Sequence, residues 1–305
     1  MRGTSLALLS CAFFGLGYVL KKILLVSLSP LLITAILSVF SALFLLAFMD
    51  VKHKIREIFT LRKREVLALA VVGLVSGFLA EFLFLLGLDS TSVSNAVLLS
   101  RTNSLFMAFF ATIVFREKIR FSQILGGIMM ILGLYVIATQ GMKVGLSYMT
   151  GDLFLITAGF LLAFGNTIMK KYLDHVPPEV IVLWKSAIGG VVLLSLCFTG
   201  GAFSGFSTSG IILGDFLILV ISNVIAYVLW YKALELTTES NVGLTALSVP
   251  FFTIIIAMGI LSETMESYQV VGGGLILLGL IVLEVHLSKA KSLRNYARIL
   301  RLLHT

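Results

Sequence analysis

The stretch GLDSTSVSNAVLLSRTNSLFMAFFATIVFREKIRFSQILGGIMMILGLYVI, residues Gly87–Ile137, returns one half later in the chain as Ala233–Leu283, at a constant offset of 146. Ser94-Asn95 recurs as Ser240-Asn241, Glu117 as Glu263 and Gln123 as Gln269. Gly126-Gly127 recurs as Gly272-Gly273, and Gly133-Leu134 as Gly279-Leu280. Register held without a gap over two hairpin-length segments marks an internal duplication. The first repeat is placed at residues 1–140, the second at 147–286, and a basic tail at 287–305.

Composition settles the medium in which these repeats fold. With 59% hydrophobic residues, 12% charged residues and a mean hydropathy of +1.08, a chain of 305 residues has too little polar surface to cover a soluble globule. The charges leave apolar runs of about 17–21 residues, the length of a helix that crosses a hydrocarbon core of roughly 30 Å. Ten spans are expected: Leu6–Leu25, Pro30–Met49, Val66–Leu88, Val93–Phe115, Phe121–Thr139, Leu153–Met169, Val180–Thr199, Gly210–Tyr231, Asn241–Leu261 and Tyr268–Val285. A β-barrel would show short alternating segments instead. The fold class is an all-α polytopic membrane protein. The first span lacks a small-residue cleavage site after Met1-Arg2 and is expected to be retained.

Lys and Arg orient the chain. With the N-terminus cytoplasmic, Arg2, the basic residues of Lys52–Arg64, Arg116, Lys118, Arg120, Lys170, Lys171, Lys232 and those of Lys289–Arg301 all fall inside. Only Lys21, Lys22 and Lys143 fall outside, with Arg101 and Lys185 within spans, so both termini are expected to be cytoplasmic at the plasma membrane. The formal net charge of +8 then serves adhesion to anionic lipid, and no aromatic-interleaved basic surface suggests nucleic acid. Five spans per repeat is an odd number, so the second copy enters the bilayer upside down. Two inverted five-helix repeats permit two nearly equal packings, one open to each side, as in alternating-access transporters; the bland alternative is that duplication built a plain stable bundle.

Several residues carry a family resemblance. Phe14-Gly15 followed by Lys22 is similar to a Trp-Gly run in a first helix that ends in Lys. Phe115-Arg116-Glu117-Lys118-Ile119 with Gln123, Gly126 and Gly133 resembles a Leu-Gly-Glu turn followed by a glycine-spaced helix; Leu261-Ser262-Glu263 with Gln269, Gly272 and Gly279 repeats it, and Pro250 matches a mid-helix proline. On these residues the chain resembles the EamA-like members of the drug/metabolite transporter superfamily over essentially residues 5–286. It departs from them at Ser104, opposite Pro250, and at Ser38 and Lys185, where an Arg is often found. The resemblance implies transport of small metabolites (amino acids, nucleotide-linked sugars, amphipathic drugs) and a cavity role for Lys22. The alternative for Lys22, and the reading for Lys21, is an interfacial anchor.

Charges inside the membrane are costly unless paired or wetted, and so point to a site. Glu81 lies roughly 10 Å and Arg101 roughly 14 Å from the turn at Asp89–Ser92 at about 1.5 Å per residue, within reach of one another. Their counterparts in the second repeat are Tyr227 and Leu247, so the duplicated scaffold does not require the pair. Arg101 is expected to anchor an anionic group of the solute with its planar multi-donor fork. The bland alternative is a lock between two helices. Glu81 is also a candidate proton-coupling group. Lys185 and Asn166 form a second polar locus, with a snorkelling Lys as the alternative. Tyr227 is a cavity candidate because it occupies the repeat position of Glu81.

Other features have structural readings. Gly126/Gly133 and Gly272/Gly279 are expected to let backbones pack closely, Trp184 and Trp230 to sit in the interfacial belt, Asp152 and Asp215 to cap helix starts, and Glu117 and Glu263 to hold a cap or turn. Lys52–Arg64 and the tail alternate basic and apolar residues and are expected to lie on the inner leaflet. Isolated Cys11 and Cys197, loop histidines and the lack of a phosphate-binding loop give no enzyme, cofactor or metal site. The expectation is a secondary active transporter for a small-molecule substrate, driven by a proton or counter-substrate gradient. Nucleotide-sugar or phosphorylated-metabolite exchange is the alternative, favoured if Arg101, Lys185 and Lys22 surround one cavity. A lipid scramblase or membrane receptor stands as the alternative of another class, and the sequence is compatible with a homodimer.

Overall fold

The computed structural model describes residues 2–51, 58, 61–116, 121–140, 149–201, 210–237, 242 and 245–282. Glu117, Lys118, Lys143, Ser240, Asn241, most of the stretch between Lys52 and Thr60, and the tail from residue 287 lie outside these residues. Every element among the described residues is helical, as backbone in hydrocarbon must satisfy its own hydrogen bonds. The helices are α1 (Gly3–Leu25), α2 (Pro30–Asp50), α3 (Lys63–Ser90), α4 (Val93–Phe115), α5 (Phe121–Ala138), α6 (Thr150–Tyr172), α7 (Pro178–Thr199), α8 (Ile212–Trp230), α9 (Ala246–Ile260) and α10 (Ser267–Val282). The first eight are long and apolar enough to cross a bilayer; α9 and α10 are shorter apolar helices. All ten coincide with the expected spans to within a few residues, so the chain is a polytopic helical membrane protein.

Local sequence explains several boundaries. Pro178 opens α7 where its missing N–H costs nothing. Ser92 caps α4 by accepting from the Asn95 N–H at 3.1 Å. Two helices are irregular where it matters. A wide π turn interrupts α3 at Gly73–Leu79, just before Glu81. At Ser100–Arg101 α4 tightens, with i−3 bonds from Arg101 N to Leu98 O and from Ser104 N to Arg101 O. The position equivalent to Arg101 is Leu247, and there α9 opens with a 3-10 turn at Ala246–Ser248, so both copies break their fourth helix at the same place. Pro250 explains one break by removing a donor.

The halves meet head to foot along a glycine seam between α5 and α10. A Cβ on Gly133 would lie 2.5 Å from Gly272 O, and one on Gly279 would lie 2.6 Å from Gly126 O. Gly126 pairs with Gly279 and Gly133 with Gly272, so the two helices run antiparallel. Exchanging each residue for its repeat equivalent returns the same two pairs. This is the signature of a pseudo-two-fold axis passing between inverted repeats, and it shows the backbone approach expected of these glycines.

The seams between halves are not all alike. α3 and α7 touch backbone to backbone: a Cβ at Gly189 would lie 2.5 Å from Gly77 O, and one at Gly73 would lie 2.6 Å from Ile188 Cβ. The repeat-related seam between α2 and α8 instead holds a crevice lined by Leu37, Phe40, Ser41, Phe44, Val220, Asn223, Val224 and Tyr227. Leu219 and Asn223 replace Gly73 and Gly77 in that copy, and both side chains lie against Gly17 of α1.

Candidate functional site

Between the halves lies a cavity of about 210 Å³. α1 supplies Phe14, Gly17, Tyr18 and Lys21, spaced three and four apart and therefore on one stripe. α3 supplies Glu81 and Phe84, α6 Leu162, and α8 Asn223 and Tyr227. From α4 come Ser100, Arg101 and Asn103. Ser100 and Asn103 are neighbours three apart on one helix face, and the tightened turn at Ser100–Arg101 lies beside them.

The charged groups are arranged as follows. Glu81 Oε1 accepts from Lys185 Nζ at 3.4 Å, across the α3–α7 seam. The Lys21 ammonium lies 5.6 Å from the Tyr18 ring centroid and 5.9 Å from that of Phe84. Arg101 Nε is buried and makes no hydrogen bond. The Phe14 ring stands edge-on to Tyr227 at 5.3 Å and to Trp230 at 6.1 Å, forming the aromatic wall between α1 and α8.

A cavity walled by both inverted halves and lined by three intramembrane charges, Lys21, Glu81 and Arg101, is the architecture of a solute carrier. The EamA-like transporter family model matches the chain twice, at residues 1–139 and 149–285. This chain belongs to the EamA-like transporter family. An uncharacterized transporter of Methanothermobacter thermautotrophicus is 27% identical over 89% of this chain and 82% of its own length. A probable amino-acid metabolite efflux pump of Salmonella typhimurium is 27% identical over 91% of this chain and 93% of its own length. A solved crystal structure shares the fold at a TM-score of 0.61 and 16% identity, over 92% of this chain and 95% of that one.

In this EamA-like transporter the structure regroups the residues expected at the site. Arg101, Glu81 and Tyr227 all line the cavity. Glu81 does not bond Arg101, however; its partner is Lys185, 104 positions away. Counting along ideal helices missed both the π turn that re-aims α3 ahead of Glu81 and the glycine contact that brings α7 against it. Lys185 accordingly turns to a carboxylate rather than snorkelling. Asn166 lies away from the cavity lining, its amide donating to Met107 Sδ at 3.7 Å.

The two adjacent lysines of α1 divide their work. Lys22 donates to the carbonyls of Leu88 at 2.7 Å, Asp89 at 2.9 Å and Thr91 at 2.8 Å, closing the C-terminal end of α3. Favourable contact of a cation with orphan carbonyls and the negative end of a helix explains this position. Lys21, one residue and about 100° earlier, is the cavity lysine, which the Phe14–Gly17–Tyr18–Lys21 stripe signalled. Lys22→Met is therefore expected to lower the midpoint of thermal unfolding while leaving the apparent affinity for solute within twofold. A tenfold loss of affinity without loss of stability would show that Lys22 contacts solute.

Next to Lys22, the turn between α9 and α10 clasps the start of α4. Glu263 accepts from Val93 N at 2.8 Å, Ser94 N at 3.2 Å and Ser94 Oγ at 2.9 Å. Gln269 donates to Asn95 Oδ1 at 2.7 Å and to Ser92 Oγ at 3.2 Å. The expected cap thus exists, but across the repeats: the second copy caps the fourth helix of the first. Asp152, expected to cap α6, is instead buried with Oδ1 unpartnered. Among the described residues no group of three or more His, Cys, Asp or Glu side chains is placed to hold a metal ion.

Proposed function

We propose that the protein is a secondary active transporter that moves small organic solutes, amino acids or related metabolites among them, across the plasma membrane by alternating access. The observation that carries this reading is the central cavity, with Arg101, Glu81, Lys21 and Tyr227 drawn from both inverted halves. The relatives named as amino-acid metabolite efflux pumps support small-metabolite cargo. In this reading the repeats at 1–140 and 147–286 are the two moving units. The α5–α10 glycine seam maps onto itself under the pseudo-two-fold axis and serves as the fixed hinge line. The close α3–α7 seam and the creviced α2–α8 seam are one arrangement, and their exchange gives the other.

The distribution of Lys and Arg supports a cytoplasmic location for both termini. The Lys22, Glu263 and Gln269 clasp then lies on the outer side and holds it shut. Gradient coupling runs through a proton or a counter-substrate, with Glu81 the carboxylate placed to carry a proton. The full chain, reconstituted in liposomes and offered a metabolite library with and without a pH gradient, is expected to show saturable flux. Arg101→Gln is expected to lower kcat/KM between tenfold and a hundredfold, the equivalent of a lost charge-assisted hydrogen bond of about 1.5–3 kcal/mol. Full flux in a folded Arg101→Gln protein would remove Arg101 from the solute site.

A further inference from the structure

The charges around the cavity do not cancel. Glu81 bonds Lys185 at 3.4 Å and lies within electrostatic reach of Lys21 as well, so one carboxylate is shared by two ammonium groups, while the buried Arg101 Nε has no hydrogen-bond partner. The Lys21 ammonium faces the Tyr18 ring at 5.6 Å, and Arg101 lines the same cavity. Lys21, Arg101 and Lys185 against Glu81 give a formal charge of +2. A cation held inside a membrane protein needs an anion or water beside it, and ring faces offset only part of that need. A zwitterionic solute would bring an ammonium group to a cavity whose one carboxylate is already taken.

We propose that the solute is an organic dianion, a metabolite carrying two acidic groups or one phosphate monoester, with one anionic charge held by Arg101 and the other by Lys21. Its carbon skeleton lies against Phe14, Phe84 and Tyr227. At about 210 Å³ the cavity is below the roughly 300–1,000 Å³ of sites for drug-sized ligands, so the cargo is a small metabolite. Glu81, bonded to Lys185, lines one wall, and the Asn103 and Asn223 amides are placed to bond the uncharged part of the solute. This rests on the transport reading above.

The test uses the full chain in phosphatidylcholine vesicles, with labelled succinate and glycerol phosphate as dianions, leucine as a zwitterion and putrescine as a dication. Flux of at least one dianion is expected to exceed that of leucine and putrescine by tenfold or more, and comparing the two dianions separates carboxylate from phosphate recognition. Lys21→Gln is expected to reduce the preference for the favoured dianion over its singly charged amide or ester by at least tenfold, and Lys21→Arg to restore it. Leucine or putrescine moved in preference to both dianions overturns the dianion assignment while leaving transport intact. No flux of any of the four, nor of the metabolite library, through folded protein overturns the transport reading itself and this inference with it. The wild-type comparison stands even if a Lys21 variant fails to fold.

Discussion

Alanine at Gly133 or Gly272 is expected to lower the thermal unfolding midpoint in detergent by several degrees, whereas alanine at Gly274, on the same helix as Gly272, is expected to leave it unchanged or raise it. A Cβ at Gly133 would lie 2.5 Å from Gly272 O and 2.9 Å from Ile276 N; one at Gly272 would lie 2.8 Å from Gly133 O. These neighbours are backbone and cannot swing aside as a side-chain tip does, so α5 and α10 must move apart. Overpacking of this kind costs about 1–3 kcal/mol and loses contacts along the whole seam. Nothing lies within 4 Å of a Cβ at Gly274, so only the intrinsic preference for alanine in a helix remains, about 0.5–1 kcal/mol in favour. Equal and small shifts at all three positions would mean that the seam is looser than its geometry implies.

Glu263→Ala should open the clasp over α4. The substitution removes an acceptor from two backbone N–H groups and one hydroxyl at the start of that helix. Hydrogen bonds to a charged group contribute about 1.5–3 kcal/mol each. Water will replace part of this, and a net loss on the order of 3 kcal/mol is expected. Ala96, 1% exposed behind the clasp, reports the opening. With Cys11 and Cys197 replaced by alanine, a cysteine introduced as Ala96→Cys should react with a maleimide at least tenfold faster once Glu263 is alanine. Glu263→Gln should give most of the same effect, because its amide turns a donor toward N–H groups that need an acceptor. Unchanged labelling and stability in both variants would reduce the clasp to a surface contact.

Much of this molecule was legible in its residues. Ten apolar runs were readable because a hydrocarbon core imposes length and composition on each helix separately, with no need of neighbours. The duplication was readable because Glu117/Glu263 and the glycine pairs recur at a constant offset. Arg101 and Glu81 stood out because so few charges fall inside spans. Less was legible at the site. The choice between Lys21 and Lys22 turns on about 100° of helix rotation, which only the neighbouring stripe of α1 hints at. The break beside Arg101 had a local marker in the second copy, Pro250, but none in the first. The π turn at Gly73–Leu79 had none at all.

The sequence by itself determined the number of membrane helices, their pairing into two copies and the reversal of one copy against the other. These follow from chain-local hydrophobicity and from counting an odd number of crossings. Only the tertiary structure decided which charges meet, namely that Glu81 takes Lys185 and leaves Arg101 and Lys21 facing the cavity. It alone decided that Glu263 caps a helix of the other half. The physical reason is that such partners lie a hundred or more positions apart, and their meeting depends on how closely glycines such as Gly77 and Gly189 let two backbones approach.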